Sequence, residues 1–90
     1  MTPEEMEELG IRPVKYMVAK TDIHVEWRGG DNWAVTRTGD CLNKDGEWEW
    51  EPSPSNRDDA FLVRCRFNID DALRMVAGIV RGDQPATQRP

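Results

Sequence analysis

The sequence predicts an α+β fold, a small antiparallel sheet of three to four strands packed on one face by a C-terminal helix, with a short helix ahead of it. Three observations carry this. An Asp45-Gly46 turn runs into the strict alternation Glu47-Trp48-Glu49-Trp50-Glu51, which has the side-chain period of a strand. A period of two also organises Val14 to Arg37. Finally, Ile69, Ala72, Leu73, Val76, Ile79 and Val80 make one apolar stripe at helical spacing.

Taken in order, Thr2-Pro3-Glu4-Glu5 reads as an N-cap, a proline at the first helical position and an acidic first turn, with Gly10 as the stop; a frayed tail is the alternative. Val14, Tyr16 and Val18 then alternate with Lys15 and Met17. After the break at Lys20-Thr21-Asp22, Ile23, Val25 and Trp27 alternate with His24, Glu26 and Arg28. Arg28-Gly-Gly-Asp-Asn32 is a turn, and Trp33 to Arg37 returns as the other arm of a hairpin. The Thr38 to Gly46 connection tucks Cys41-Leu42 inward. Glu47 to Glu51 follows as a strand ended by Pro52 and Pro54.

Ser55-Asn-Arg-Asp58 resembles a capping box and predicts a helix through about Arg66, with Asp58 and Asp59 at its positive end and Arg64 and Arg66 at its negative end. Phe61, Val63, Cys65 and Phe67 also suit a strand by period, and the cap and dipole signals decide for helix. Asn68-Ile-Asp-Asp71 caps the C-terminal helix, on which Asp70 and Arg74 are spaced for an i,i+4 pair. The expected core is Val14, Tyr16, Ile23, Val25, Trp33, Val35 and some of Trp27, Trp48 and Trp50, packed on Leu73, Val76 and Val80. Burying each such side chain stabilises the fold by about 1.5–3 kcal/mol and sets strand register.

The expected organisation is an acidic segment over 1–12, one domain over 13–81 and a disordered tail over 82–90, whose Arg81-Gly82-Asp83 is a chance tripeptide. A net charge of −5 in 90 residues argues against direct nucleic-acid binding, which needs a Lys/Arg surface, and favours a partner with a basic surface. No run approaches the roughly 20 apolar residues of a membrane span, and the acidic start is unlike an export signal, so a cytoplasmic protein is expected. Cys41 and Cys65 lack metal-ligand spacing and are expected to be reduced, with a disulfide as the alternative.

No catalytic residue is assigned. His24, the one histidine, has no nucleophile motif beside it and reads as a half-exposed strand residue. No metal is assigned, since His24, the cysteines and the aspartates lack zinc or calcium-loop spacing, and no cofactor is expected. Paired carboxylates at Glu47 and Glu49 or at Asp58 and Asp59 lack the cleft that acid/base work needs. Two ideas about recognition remain. Trp48 and Trp50, about 7 Å apart along a strand, fill the core or anchor a contact. On the opposite face Glu47, Glu49 and Glu51 form a carboxylate row that, with Asp45, Asp58 and Asp59, offers a negative track against an ordinary solvated face.

The run Cys41-Leu-Asn-Lys-Asp-Gly-Glu-Trp-Glu-Trp-Glu-Pro52, with Pro54-Ser-Asn-Arg-Asp58, Phe61-Leu62, Arg66-Phe67 and an Ala72-containing helix, resembles small uncharacterised proteins of actinobacteria and their phages. The resemblance implies a cytosolic accessory protein, phage-encoded and acting on a host protein, and transfers no functional residue. The expected function is therefore non-enzymatic protein binding through Glu47, Glu49, Glu51, Trp48, Trp50, Asp58 and Asp59. The alternatives are an inhibitor that mimics nucleic acid through the acidic row, and a small-molecule or glycan binder using exposed tryptophans. An exposed strand edge also permits a homodimer.

Overall fold

The computed structural model describes residues 1–82. Its elements are α1 (Pro3–Glu8), β1 (Lys15–Met17), β2 (Ile23–Trp27), β3 (Trp33–Arg37), β4 (Asp40–Leu42), β5 (Trp48–Trp50), α2 (Asp59–Cys65) and α3 (Ile69–Arg81), with a 3-10 turn at Pro54–Asn56. The strands form one antiparallel meander in chain order. The sheet has one strand more than the upper expectation. Thr38 and Gly39, both at positive φ, make a two-residue hairpin turn of the kind that matches strand twist, and so bring Asp40–Leu42 back as β4.

Register sorts the side chains onto two faces. Val25 lies opposite Val35, Trp27 opposite Trp33, and Leu42 opposite Trp48, and α3 covers this face. Ile23, Val25, Val35, Leu42, Phe67, Ala72 and Val76 form the main core, with Val18, Trp33, Trp48, Ile69, Met75 and Ile79 packed around it. On the other face, α2 lays Phe61 and Cys65 against Cys41. The sheet is thus covered on both faces, by α3 broadly and by α2 over its β4–β5 end.

The chain changes face through Phe67. Strand β4 is too short to pair with the first half of β3, and Phe67 takes that vacant place: Trp33 and Phe67 exchange both backbone hydrogen bonds, at 2.7 and 2.9 Å. Its ring then enters the main core.

The helix reading of 56–66 holds, with shifted ends. The 3-10 turn occupies Pro54–Asn56, and Asp58 caps α2 by accepting from the Phe61 N–H at 2.8 Å. Helix α3 starts at its Asn68 cap and ends on Gly82 at φ 75°. The rest of the expected disordered tail, Asp83 included, lies outside the described residues. Arg74 pairs with Asp71 at 3.0 Å rather than with Asp70. Helix α1 has the reciprocal Thr2–Glu5 capping box but buries nothing.

Several expected core residues lie on the surface: Val14, Tyr16, Trp27, Trp50, Leu73 and Val80 are exposed. Helix α3 runs over the centre of the sheet, so the edge strand β1 and the flanks of the helical stripe are left uncovered. Cys41 and Cys65 are free, fully buried thiols. Burial pushes the pKa of both upward, and their contact adds to this at Cys65.

Leu42 is wholly buried at the centre of the main core. Leu42→Ala should therefore cost about 2–5 kcal/mol, the range for truncating a core leucine, read as a lower urea midpoint at unchanged slope. The buried thiols should react with a thiol reagent only at the rate of global or local opening, and fully in denaturant.

Candidate binding groove

Two of the three carboxylates of the acidic strand, Glu49 and Glu51, are engaged by arginines. Glu49 lies on the face covered by α2, where Arg64 grips it with Nε at 3.0 Å and Nη2 at 2.8 Å, and Asn43 Nδ2 donates to it at 3.0 Å. Glu51, just beyond β5, accepts from Arg28 Nη2 at 2.9 Å and Arg66 Nη2 at 2.7 Å, with Arg57 Nη2 at 3.4 Å. Only Glu47 of the three stays fully exposed. The row is therefore not a continuous negative track, because four arginines from distant positions neutralise two of its members. Asp58 is consumed as the α2 cap, whereas Asp59 and Asp45 are exposed.

These contacts favour the charged forms of Glu49 and Glu51. The hydrogen bonds from Arg64, with help from Asn43, outweigh burial and hold the Glu49 pKa at about 2, against an ordinary 4.5. Burial acts to raise the Glu51 pKa, but the hydrogen bonds and charges of Arg28 and Arg66 prevail and lower it.

Asn43 went unrecognised in the sequence. It is buried, its Oδ1 accepts from the Asp45 and Glu47 amides at 3.0 and 2.9 Å, and its Nδ2 reaches Glu49. An asparagine two residues before an Asp-Gly turn is the signal that could have found it, since Asn side chains close such turns on the backbone.

The two tryptophans of β5 divide. Trp48 packs on the main core under the Arg37 guanidinium, 4.2 Å from its ring centroid. Trp50 is 71% exposed and lies over Gly39, where an added Cβ would stand 3.0 Å from the ring. It lines neither the aromatic groove at the β1 edge nor the arginine-lined cavity.

The concave aromatic surface is elsewhere. Tyr16, Trp27 and Trp33 line a groove of about 420 Å³ together with Gly10, Arg12, Pro13, Val14, Gly30, Asp31, Asn68 and Ile69. The β1–β2–β3 register places the three rings on one face at the uncovered edge, with Tyr16 and Trp33 at 5.8 Å between centroids. Tyr16 and Trp27 remain 38% and 45% exposed. The Trp27 indole N–H donates to the Gly30 carbonyl at 2.9 Å, which ties the hairpin turn to the groove wall. Asp31 and Arg12, on the rim, make no hydrogen bond or ion pair with another described residue. The flanking segments carry Glu4, Glu5, Glu7 and Glu8 on α1 and Asp70 and Asp71 in the first turn of α3.

Aromatic faces attract cations through their quadrupole, and an acidic surround adds to the attraction. The groove also adjoins a free strand edge. Val14 and Val18 share backbone hydrogen bonds with Trp27 and Ile23. The alternation of an antiparallel ladder then turns the backbone groups of Lys15 and Met17 away from β2. Among the described residues no group of three or more His, Cys, Asp or Glu side chains is placed to hold a metal ion, and no helix is long and apolar enough to cross a membrane.

Comparison with protein-family models, with curated proteins and with solved structures gives no match to this chain.

The Glu49 pKa supplies a test of the Glu49–Arg64 pair. Because it is lower folded than unfolded, the Glu49 contribution is complete above about pH 4.5 and is lost as pH falls toward about 2. Over that window wild type should lose thermal stability more steeply than Glu49→Gln, as followed by circular dichroism; parallel profiles would show that the pair is uncoupled from folding. Asn43→Ala should cost about 1–3 kcal/mol, the penalty for stranding buried polar partners, measured by urea unfolding at neutral pH.

Proposed function

We propose that this chain is a non-enzymatic protein-recognition module that takes a basic, extended segment of a partner protein into the Tyr16–Trp27–Trp33 groove. The carrying observation is the meeting of the exposed Tyr16 and Trp27 rings and the half-buried Trp33 ring with the unpaired Asp31 carboxylate in one groove. A lysine or arginine side chain inserted there would stack on the rings and reach Asp31, a pairing of cation–π and ionic contact. The outward backbone of β1 supports an extended partner, which would add main-chain hydrogen bonds as a sixth strand while its side chains enter the groove. The net charge of −5 would steer a basic partner toward the surface.

This reading moves the contact away from Glu49 and Glu51. Nucleic-acid mimicry would require their carboxylates to be free, and Arg64, Arg28, Arg57 and Arg66 already occupy them. A cytosolic, phage-encoded factor acting on a host protein is the setting that the resemblance of the Cys41–Pro52 segment supplies, and a basic segment of a host protein is a partner that fits the groove.

Tryptophan fluorescence titration with extended peptides that differ only in an arginine, a glutamine or a glutamate at the central position tests the proposal. The arginine peptide should bind saturably and best. Tyr16→Ala should weaken it about two- to fivefold, the equivalent of the ~0.5–1 kcal/mol of a half-exposed cation–π contact, and Asp31→Lys should abolish the preference for arginine. Equal affinity for all three peptides would sink the reading. Self-association at the β1 edge that survives Asp31→Lys would assign that edge to a homodimer instead.

A further inference from the structure

The same β2–β3 hairpin that walls the aromatic groove with Trp27, Gly30 and Asp31 contributes Arg28 and Asn32 to a second cavity. This one is about 210 Å³ and is lined by Arg28, Asn32, Arg57, Leu62 and Arg66. Three guanidiniums thus converge on one small space in a chain of net charge −5. No carboxylate lines it. Glu51 stands behind the arginines and bonds or pairs with all three, and Glu26 reaches only Arg28, at 3.6 Å. The cluster keeps an excess of positive charge, because two carboxylates face three guanidiniums.

The arginines are held in place from behind. Arg28 gives Nε and Nη2 to Glu51; Arg66 gives Nη2 to Glu51 and Nη1 to the Cys65 carbonyl; Arg57 gives Nε to the Pro52 carbonyl. Arg57 Nη1 and Arg66 Nε are left without a partner in this network. Among the described residues no buried side-chain nitrogen or oxygen lacks a hydrogen bond, so these remaining nitrogens are accessible to solvent. Arg57 and Arg66 both line the cavity. Side chains already immobilised lose little entropy on binding. Three guanidiniums from three backbone positions supply N–H donors to one space, and a phosphate, with more acceptor oxygens and charge than a carboxylate, can use more of them. The space holds several waters at about 30 Å³ each, enough for one such anion.

We propose that this cavity is an oxyanion site for a phosphate monoester or inorganic phosphate, bound by Arg28, Arg57 and Arg66 with the Asn32 amide as a further donor. A phosphate dianion brings two negative charges to a single point. A nucleic-acid backbone brings one charge per phosphate and would meet the acidic remainder of the protein, so it is the poorer ligand.

The test is an amide and arginine side-chain NMR titration of the full chain at constant ionic strength, with inorganic phosphate, phenyl phosphate, a short oligonucleotide and chloride as separate arms. Phosphate and phenyl phosphate should give saturable shifts at Arg28, Asn32, Arg57 and Leu62, and chloride none of that pattern. Asn32→Asp puts a carboxylate into the lining at an exposed position whose side chain supports no described contact. It should fold as wild type and weaken phosphate binding about tenfold or more, the scale of opposing like charges. Arg57→Gln should weaken it in the same direction. Linear, non-saturable shifts, equal shifts with chloride, or unchanged affinity in a folded Asn32→Asp protein would overturn the site. Tighter binding of the oligonucleotide than of phenyl phosphate would overturn the monoester assignment.

Discussion

One carboxylate ties together three separate segments of this molecule. Glu51 leaves the edge strand and meets Arg28 from the end of β2, Arg57 from the segment before α2, and Arg66 from the link between the two C-terminal helices. Three separate parts of the chain are thereby pinned together. Such a pairing is stabilising only when the geometry is good and the remaining donors find protein or water partners. Here the Pro52 and Cys65 carbonyls take two guanidinium N–H groups that Glu51 does not, leaving Arg57 Nη1 and Arg66 Nε to solvent. With Arg66 only 6% exposed at its side chain, loss of Glu51 would leave a buried charge unpaired.

This constraint separates the two faces of the sheet by chemistry. The α3 face is apolar and close-packed, and it carries most of the hydrophobic core. The α2 face has a small core of Phe61, Cys41 and Cys65, extended by the Glu49–Arg64 and Glu51 networks. Asn43 and Glu49 couple those networks to the β4–β5 turn, and Phe67 threads the chain from one face to the other. Helix α3 borders the β1-edge groove only through Ile69 at its start, so the Tyr16 and Trp27 rings there remain exposed. The accessible aromatic groove is a consequence of where coverage stops.

Much of the fold was legible from local patterns. Period two located β1, β2, β3 and β5, the stripe from Ile69 to Val80 located α3, and caps at Thr2 and Asn68 marked helix starts within a residue. The competing strand period of Phe61 to Phe67 was resolved by charges at the ends of α2, where Asp58 caps and Arg64 completes the last turn. Strand β4 was missed because three residues between two turns carry too little alternation to register, and its identity follows from pairing with both β3 and β5. The proposed groove was legible only in its residue types: aromatic anchors and acidic charge were expected on β5, where Trp48 is packed on the core and Glu49 and Glu51 are paired, and the concave aromatic surface lies at the β1 edge.

Local sequence determined which segments become strands and helices, because backbone propensity, capping and side-chain period act over a few residues. It also determined that Trp48 and Trp50 would share one face and the glutamates the other. What it left open was the environment of each face. Ion pairs between Glu51 and arginines up to 23 positions away, and a groove assembled from Arg12, Tyr16, Trp27, Trp33 and Ile69, exist only once the meander and the crossing at Phe67 bring those residues together. Tertiary structure therefore decided that Glu49 and Glu51 would be paired with arginines and the aromatic edge left exposed, since burial and pairing depend on distances that no local period encodes.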